Sequence, residues 1–231
     1  MKFSATGSTD VALVGLFWPE SLPADFDERI EHTELKLLCN ELHDQQQIVS
    51  FPCEANGSYS LNVFVDEELP AELQPYCEEV HWLRKLEIAG TGWFGGLEYL
   101  FKTDRAELDS RPGGCSPLEI PAGEYEVTAY ATEVPDDVYE TWLLEKTSPA
   151  ALRLWHVQSW FAATGIVALM FFVGCMFLGS RTAMLTSAAI SAVLSSIALV
   201  LSLTPAYRRV QAARQTYDAM YSDYVVCMVR K

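Results

Sequence analysis

Two long uncharged segments constrain the fold of this 231-residue chain more than any other feature of its sequence. Residues 157–180 and 182–207 contain no Asp, Glu, Lys or Arg, and only Arg181 separates them. An α-helix rises about 1.5 Å per residue, so about 20 apolar residues cross the hydrocarbon core of a bilayer. Buried helices of soluble proteins are usually shorter and keep a polar face. The sequence therefore predicts two membrane-spanning helices, at 159–179 and 183–204, joined by an extracytoplasmic turn at 180–182.

The residues that flank the two segments are typical of membrane boundaries. Tryptophan and tyrosine rings favour the headgroup level of a bilayer, and arginine side chains favour its polar surface. Six such residues are predicted to anchor the hairpin: Trp155, Trp160, Arg181, Tyr207, Arg208 and Arg209.

Small residues recur along both segments and predict close helix packing. Ser187, Ser191 and Ser195 share one face of the second helix, and Gly165 and Gly174 offer a matching surface on the first. Small residues let helices approach closely in lipid. The row could form an oligomer seam or a polar path. The simpler interpretation, which we favour, is that the hydroxyls bond carbonyls of their own helix and the hairpin packs on itself.

The distribution of basic residues predicts the topology. Lys146 and Arg153 precede the hairpin, and three arginines follow it, whereas the turn holds only Arg181. Basic residues near a membrane prefer the cytoplasm, so both termini are expected there, as in a bacterial inner membrane protein. The first 18 residues lack the basic start, long apolar core and cleavage site of a signal peptide. We interpret residues 11–18 as a buried strand instead.

Charge divides the chain into two unequal parts. Residues 1–150 hold 29 acidic and 9 basic residues, a net charge of −20, and residues 151–231 hold 2 and 7, a net charge of +5. These values add to the overall −15. An acidic domain disfavours nucleic acid and raises the local concentration of cationic proteins. Solubility alone is the simpler explanation of the same composition.

The hydrophobic pattern predicts an α+β fold. Alternating apolar and polar residues at 59–65, 97–101 and 124–132 are typical of half-buried antiparallel strands. We expect a mainly antiparallel β-domain over 1–147, a small sandwich or partly open barrel with one or two helices. A juxtamembrane helix start at 148–158, the hairpin, and a basic cytoplasmic helix at 205–231 should follow.

Three further helical segments are predicted outside the hairpin. Residues 25–44 carry apolar side chains at helical spacing, residues 136–146 form a connecting helix, and Ser148 with Pro149 is typical of a helix start. The predicted C-terminal helix has a heptad-like apolar stripe that should dock on the acidic domain or dimerise. Its members are Val210, Ala213, Tyr217, Met220, Tyr224 and Cys227.

The sequence contains no motif of known catalytic chemistry, and no cofactor or metal is expected. The run from Cys77 to His81 offers four ligand-type side chains, but a metal site needs ligands that converge. Asp104, Glu107 and Asp109 lack the glycine and the closing glutamate of a calcium loop. The glycine-rich segment 90–96 has no lysine and no helix start after it, which argues against phosphate binding.

Three functional hypotheses follow from these observations. The preferred one is a non-enzymatic interaction module, anchored on the bilayer, that binds or senses a cationic protein, for example as an immunity or defence protein. A second is a ligand-binding or enzymatic domain tethered to the membrane, whose site forms only in three dimensions. A third is a membrane effector whose hairpin oligomerises, through its small-residue faces or the C-terminal stripe.

Overall fold

The computed structural model describes residues 1–51, 53–103, 108, 114–178 and 181–231. They form two compact units. The β-domain comprises residues 1–134 together with 221–231, and the helical unit comprises residues 135–220. The domain is therefore discontinuous in sequence, and the expected boundary at residue 147 lies 13 residues after the end of its first segment.

Two sheets build the β-domain. The five-stranded sheet has the order β1-β4-β9-β8-β5, and the four-stranded sheet has the order β3-β2-β6-β7. All neighbours are antiparallel except β4 and β9, which are parallel. The strands are β1 (Lys2–Thr9), β2 (Val14–Phe17), β3 (Ile48–Phe51), β4 (Gly57–Val65), β5 (Cys77–Ile88), β6 (Gly92–Gly96), β7 (Cys115–Leu118), β8 (Gly123–Thr132) and β9 (Tyr224–Arg230).

The sheets enclose one apolar core and approach each other at both pairs of edges. Residues of the inner faces, including Trp18, Val63, Phe94 and Tyr125, are fully buried. Beside β1 and β7, the amide of Ser8 donates to the carbonyl of Gly114 at 2.9 Å. On the other side, β3 and β5 are bridged by side chains rather than by a strand ladder. The expected α+β fold with a mainly antiparallel domain is confirmed, and it resembles a partly open barrel.

Most of the predicted strands are present in the structure, and one is not. Strands β4 and β8 confirm two of the segments identified by alternation, and β2 confirms the buried strand expected within residues 11–18. Residues Leu97–Tyr99, expected as part of a strand, instead form a 3₁₀ turn in which the amide of Leu100 donates to the carbonyl of Leu97. Leu97 and Tyr99 are buried in a second apolar cluster with the helices. The alternation of Leu97 and Tyr99 therefore belongs to a turn that buries both side chains, and not to a half-buried strand.

The helix expected at 25–44 is two helices, α1 (Phe26–His32) and α2 (Leu35–Asp44). Phe26 and Leu38 are buried in the same cluster. On one straight helix, twelve residues at 100° each would turn these side chains about 120° apart. The extended residue Glu34, with ψ of 127°, breaks the helix and allows both to reach one core.

The C-terminal helix expected over 205–231 is also shorter than predicted. Helix α6 (Pro205–Met220) ends before the final segment, which forms strand β9. β9 lies between β4 and β8, with Val226 opposite both Val63 and Ala129. Tyr224, Val225 and Val226 are all buried, so both faces of the strand are covered. The sequence of a strand that is covered on both faces does not alternate between apolar and polar residues. The spacing of Tyr224 and Cys227 therefore resembled the continuation of a helical stripe.

The helical unit contains α3 (Asp136–Lys146), α4 (Pro149–Leu178), α5 (Arg181–Ser202) and α6. The amide of Ala151 donates to the hydroxyl of Ser148 at 3.2 Å, which confirms the predicted start of α4. α4 joins the segments expected at 148–158 and 159–179 into one helix. α5 begins two residues before the predicted 183 and ends two before 204. The predicted turn at 180–182 lies partly outside the described residues, since 179 and 180 are not among them.

Helices α4 and α5 are long and apolar enough to span a membrane. The qualifying segments are Pro149–Cys175 and Leu185–Ser202, with mean hydropathies of 1.7 and 2.0. Their apolar side chains are mostly exposed, including Met170, Phe171 and Leu185. The core helix of a soluble protein would bury such side chains. Both helices are therefore candidate membrane spans.

Within the helical unit, α6 packs on α3 and the start of α4. The indole of Trp142 donates to the carbonyl of Ala213 at 3.3 Å, and the Tyr217 ring lies 4.8 Å from that of Tyr139. The guanidinium of Arg214 lies 4.9 Å from the ring of Trp155. The first part of the predicted stripe, Val210, Ala213 and Tyr217, is buried here. Its last two members lie instead in β9.

Candidate functional site: the helical hairpin and the mouth of the barrel

Gly165 and Ser191 form a polar contact between the two candidate spans. The Ser191 hydroxyl donates to the carbonyl of Gly165 at 3.0 Å, and both atoms are buried. A Cβ atom on Gly165 would lie 3.1 Å from the hydroxyl oxygen of Ser195. The hydroxyl bonds the neighbouring helix rather than its own, unlike Ser196, which bonds the carbonyl of Ala192. Gly165, Ser191 and Ser195, three of the five predicted packing residues, thus lie at the contact between α4 and α5.

The other two packing residues differ from each other. Ser187 is 4% exposed and lies on the same side of α5 as Ser191. Gly174 has no atom of the described residues within 4 Å of the position where a Cβ would lie. Gly174 therefore does not contribute to the described helix contact.

The anchor residues fall near the ends of the helices. α4 has 30 residues and is about 45 Å long, whereas the hydrocarbon core is about 30 Å thick. If α4 leaves the core near Leu178, its first ten residues lie at the headgroup level, and Trp160 lies at the edge. Trp160 is 65% exposed, and Arg208 and Arg209 are exposed at the start of α6. The side chain of Arg181 lies outside the described residues.

The mouth of the barrel, defined by β3, β5 and α2, holds a cluster that sequence reasoning did not find. The imidazole rings of His43 on α2 and His81 on β5 lie 4.1 Å apart, tilted by 56°. The amide of Ser50 on β3 donates to Nδ1 of His43 at 3.2 Å. Nearby, the Lys85 amide of β5 donates to the Gln46 carboxamide oxygen at 2.8 Å. His43 and Gln46 thus accept hydrogen bonds from backbone amides of β3 and β5, the edge strands, which do not pair with each other.

A cavity of about 430 Å³ opens beside His81. Its polar lining includes Lys36, Asn40 and Ser50, and its sulfur lining consists of Cys39 and Cys53. α2 supplies Lys36, Cys39 and Asn40 because these positions share one face of a 3.6-residue helix. The size is that of a small-molecule site.

Burial keeps the groups at the mouth neutral. It lowers the pKa of His43, with a further contribution from His81, and it lowers the pKa of His81. Burial raises the pKa of the Cys39 thiol to about 12 and raises that of Cys53. Thiolates are the reactive form of cysteine, so these thiols are poor nucleophiles at neutral pH. The arrangement can accept and donate hydrogen bonds through imidazole, but it does not activate sulfur.

The weak metal and phosphate candidates of the sequence do not converge in the described part of the chain. Cys77 lies 3.9 Å from the hydroxyl of Thr132, whereas His81 faces His43. No group of three or more His, Cys, Asp or Glu side chains could hold a metal among the described residues. Glycines 92 and 95 lie in β6, where a Cβ would meet the Trp18 indole and the Gly114 carbonyl. Asp104, Glu107 and Asp109 lie outside the described residues.

Comparison with known proteins does not show a family for this chain. No protein-family model matches it. No curated protein matches it either. Among solved structures, it is similar to one titled "Crocagin biosynthetic gene J", with 14% identity and a TM-score of 0.37. That match covers 57% of this chain and 75% of the other. A likeness at this score does not bear on function.

Proposed function

We propose that this protein is a membrane-anchored, non-enzymatic interaction module whose β-domain binds a cationic protein. The observation that supports the proposal is the charge of the domain. Residues 1–134 and 221–231 hold 26 acidic and 10 basic residues, so the domain carries 26 − 10, or 16, excess negative charges. The helical unit holds 5 acidic and 6 basic residues, a net charge of +1. The charge imbalance therefore belongs to the folded domain rather than to its anchor.

The internal ion pairs of the described residues leave this excess unchanged, because each joins one negative and one positive charge that the sum already counts. Arg29 pairs with Glu41 at 2.5 Å, Lys85 with Glu124 at 3.0 Å, and Lys231 with Glu126 at 3.6 Å. Each pair uses one carboxylate and one of the few cations. A surplus of this size produces a negative potential that steers cationic partners and speeds their association at low ionic strength.

The anchor gives the module a fixed side of the membrane. Two spans bring the chain back to the side on which it entered, so residues 134 and 221 face the same compartment. The excess of lysine and arginine at that side supports the cytoplasm as its location, with the β-domain and both termini there. A partner that acts at the inner membrane, such as a basic toxin, would meet a binding domain that is already held at the membrane surface.

Topology is tested by labelling single cysteines with a membrane-impermeant maleimide in intact cells. Glu68→Cys reports on the β-domain, and Thr182→Cys reports on the turn. We expect labelling of Thr182→Cys before lysis and of Glu68→Cys only after lysis, with the unsubstituted protein as background control. Labelling of Glu68→Cys in intact cells would place the domain outside and remove the proposal.

The partner is tested by crosslinking and mass spectrometry of the full chain, purified at low and at high salt. Two variants locate the surface: Glu68→Gln with Glu72→Gln, and Glu28→Gln with Glu31→Gln, which remove equal charge from exposed positions in different segments. We expect basic proteins to be enriched at low salt and lost at high salt. Recovery of no basic partner at low salt would contradict the proposal.

A second candidate function is ligand binding at the mouth of the barrel. The cavity of about 430 Å³, with the His81 imidazole in its lining and the His43 ring 4.1 Å from that of His81, favours it. His81→Ala would then weaken a ligand-induced thermal shift without changing protein capture. If a small-molecule screen gave shifts that His81→Ala removed, while basic proteins were not captured, this second function would replace the first.

A further inference from the structure

The cavity at the mouth of the barrel has an apolar wall and a short polar strip. Its volume of about 430 Å³ lies within the range of small-molecule sites, which are lined mostly by apolar side chains with a few placed polar groups. Strands β2, β3 and β5 and the 3₁₀ turn contribute to the wall, whose members include Leu13, Val14, Phe51, Val80 and Leu97. The wall suits an apolar group that leaves water on binding.

The polar strip contains one positive charge, that of Lys36. Lys36 and Asn40 line the cavity one helical turn apart on α2, and both are exposed. Neither side chain forms an ion pair or a hydrogen bond with another described residue. Burial lowers the pKa of His81, which keeps this imidazole neutral at pH 7. The lining therefore presents a single unpaired ammonium group in a domain with 16 excess negative charges.

The acidic surroundings limit the charge that a ligand can carry. Burial is the main cause of the raised pKa values of the Cys39 and Cys53 thiols, and the negative charge of Glu98 adds to it. The Glu98 carboxylate, which is not part of the lining, accepts hydrogen bonds from the Thr9 hydroxyl at 3.0 Å and the Asp10 amide at 2.7 Å. A ligand with two negative charges would leave one of them unpaired near this carboxylate, because like charges repel. A ligand with one negative charge is matched by the single lysine.

From these contacts we infer that the cavity binds a small monocarboxylic acid with a short apolar tail. The Lys36 ammonium pairs with the carboxylate, the Asn40 carboxamide and the Ser50 hydroxyl donate hydrogen bonds to it, and the apolar wall encloses the tail. The neutral thiols of Cys39 and Cys53 belong to the apolar part of the lining. The inference rests on the second candidate function, ligand binding at the mouth of the barrel, and it depends neither on a cationic protein partner nor on membrane topology.

The test is protection of Cys53 from alkylation in the full chain, held in nanodiscs of zwitterionic lipid. Cys53 is half-buried and lines the cavity, whereas Cys77 and Cys227 are half-buried outside it and serve as internal references. Peptide mass spectrometry measures the rate at which each thiol reacts with iodoacetamide as the hexanoate concentration is raised. We expect hexanoate to slow the reaction of Cys53 and to leave the rates of the two reference thiols unchanged.

Two variants and two analogues identify the charged contact. Lys36→Gln should raise the hexanoate concentration for half-protection about two- to fivefold, the effect of one exposed ion pair. Lys85→Gln is the matched control, because it removes equal charge from an exposed lysine of β5 that does not line the cavity, and it should leave that concentration unchanged. Both lysines are exposed, so neither replacement disturbs the core. Hexanamide and hexylamine, which share the tail but carry a neutral and a cationic head, should protect Cys53 less than hexanoate does.

The inference is wrong if hexanoate leaves the rate of Cys53 unchanged, or if Lys36→Gln and Lys85→Gln shift half-protection equally. Stronger protection by hexanamide or hexylamine would also overturn it. In that outcome the cavity still binds a ligand, so the second candidate function stands and only its ligand class is wrong. Absence of protection by all three compounds, together with no thermal shift in the small-molecule screen, would remove both.

Discussion

Residues of the same type are buried in the β-domain and exposed on the helical unit. In the β-domain, Phe94 is fully buried, whereas Phe171 of α4 is 63% exposed. Val63 and Val167 differ in the same way, at 0% and 64%. Water drives apolar side chains into the core of the β-domain, but lipid removes that drive and leaves packing of small residues to hold helices together. Residue type alone therefore does not determine whether a side chain is buried, because burial also depends on whether water or lipid surrounds the unit.

The largest effect is expected when the two units are separated. Replacing residues 135–220 by a Gly-rich loop of about five residues should leave a soluble, folded β-domain, because the Thr132 amide already donates to the Asp223 carbonyl at 2.9 Å. Truncation after Met220 should instead abolish folding, since it removes the central strand β9. Near-UV circular dichroism measures both. A folded truncated protein would show that β9 is dispensable.

A smaller but matched comparison uses the two phenylalanines. Phe94→Ala should lower the free energy of unfolding of the β-domain by about 3–5 kcal/mol, because it leaves a cavity in a dry core. Phe171→Ala, which removes an exposed ring from α4, should leave that free energy unchanged. Urea denaturation of the full chain in nanodiscs, followed by tryptophan fluorescence, to which the buried Trp18 contributes, gives the values. Equal losses would mean that Phe171 packs against protein.

The two glycines of α4 sharpen the description of the hairpin. Gly165→Leu should weaken helix packing by about 1–3 kcal/mol, because its side chain would enter the space of Ser195. Gly174→Leu, with open space at its Cβ position, should have no such effect. Loss of helicity in SDS titrations reports the packing. A larger effect at Gly174 than at Gly165 would indicate that the Gly174 face contacts a second copy.

The smallest expected effect concerns pH. The pKa values of His43 and His81 are lowered by burial, so the unfolded chain binds protons first as the pH falls through about 6.5. The free energy of unfolding of the β-domain should therefore decrease from pH 7.5 towards pH 5.5. His43→Gln with His81→Gln should flatten this slope, and His32→Gln, which changes an exposed histidine, is the control. An unchanged slope in the double variant would place the titrating groups elsewhere.

Local signals were sufficient to predict several elements from sequence. Ser148 and Pro149 start α4, and strict alternation marks β8, because both signals depend on residues next to one another. β9 was missed because its neighbours β4 and β8 are distant in sequence, and burial on both faces removes alternation. The pairing of His43 with His81 was missed for the same reason: a helix and an edge strand meet 38 residues apart. Single-sequence patterns carry no record of such contacts.

The position of β9 has a consequence for how the protein is made. Ninety-one residues separate Thr132 of β8 from Tyr224 of β9, which at about 5–20 residues per second takes roughly 5–18 s to translate. During that interval β4 and β8 have no strand between them, and unpaired strand edges promote aggregation. The hairpin is synthesised in the same interval, before the strand that completes the sheet. Both candidate spans are thus synthesised before the domain can be completed, and the edges of β4 and β8 stay accessible to chaperones or proteases until β9 is added.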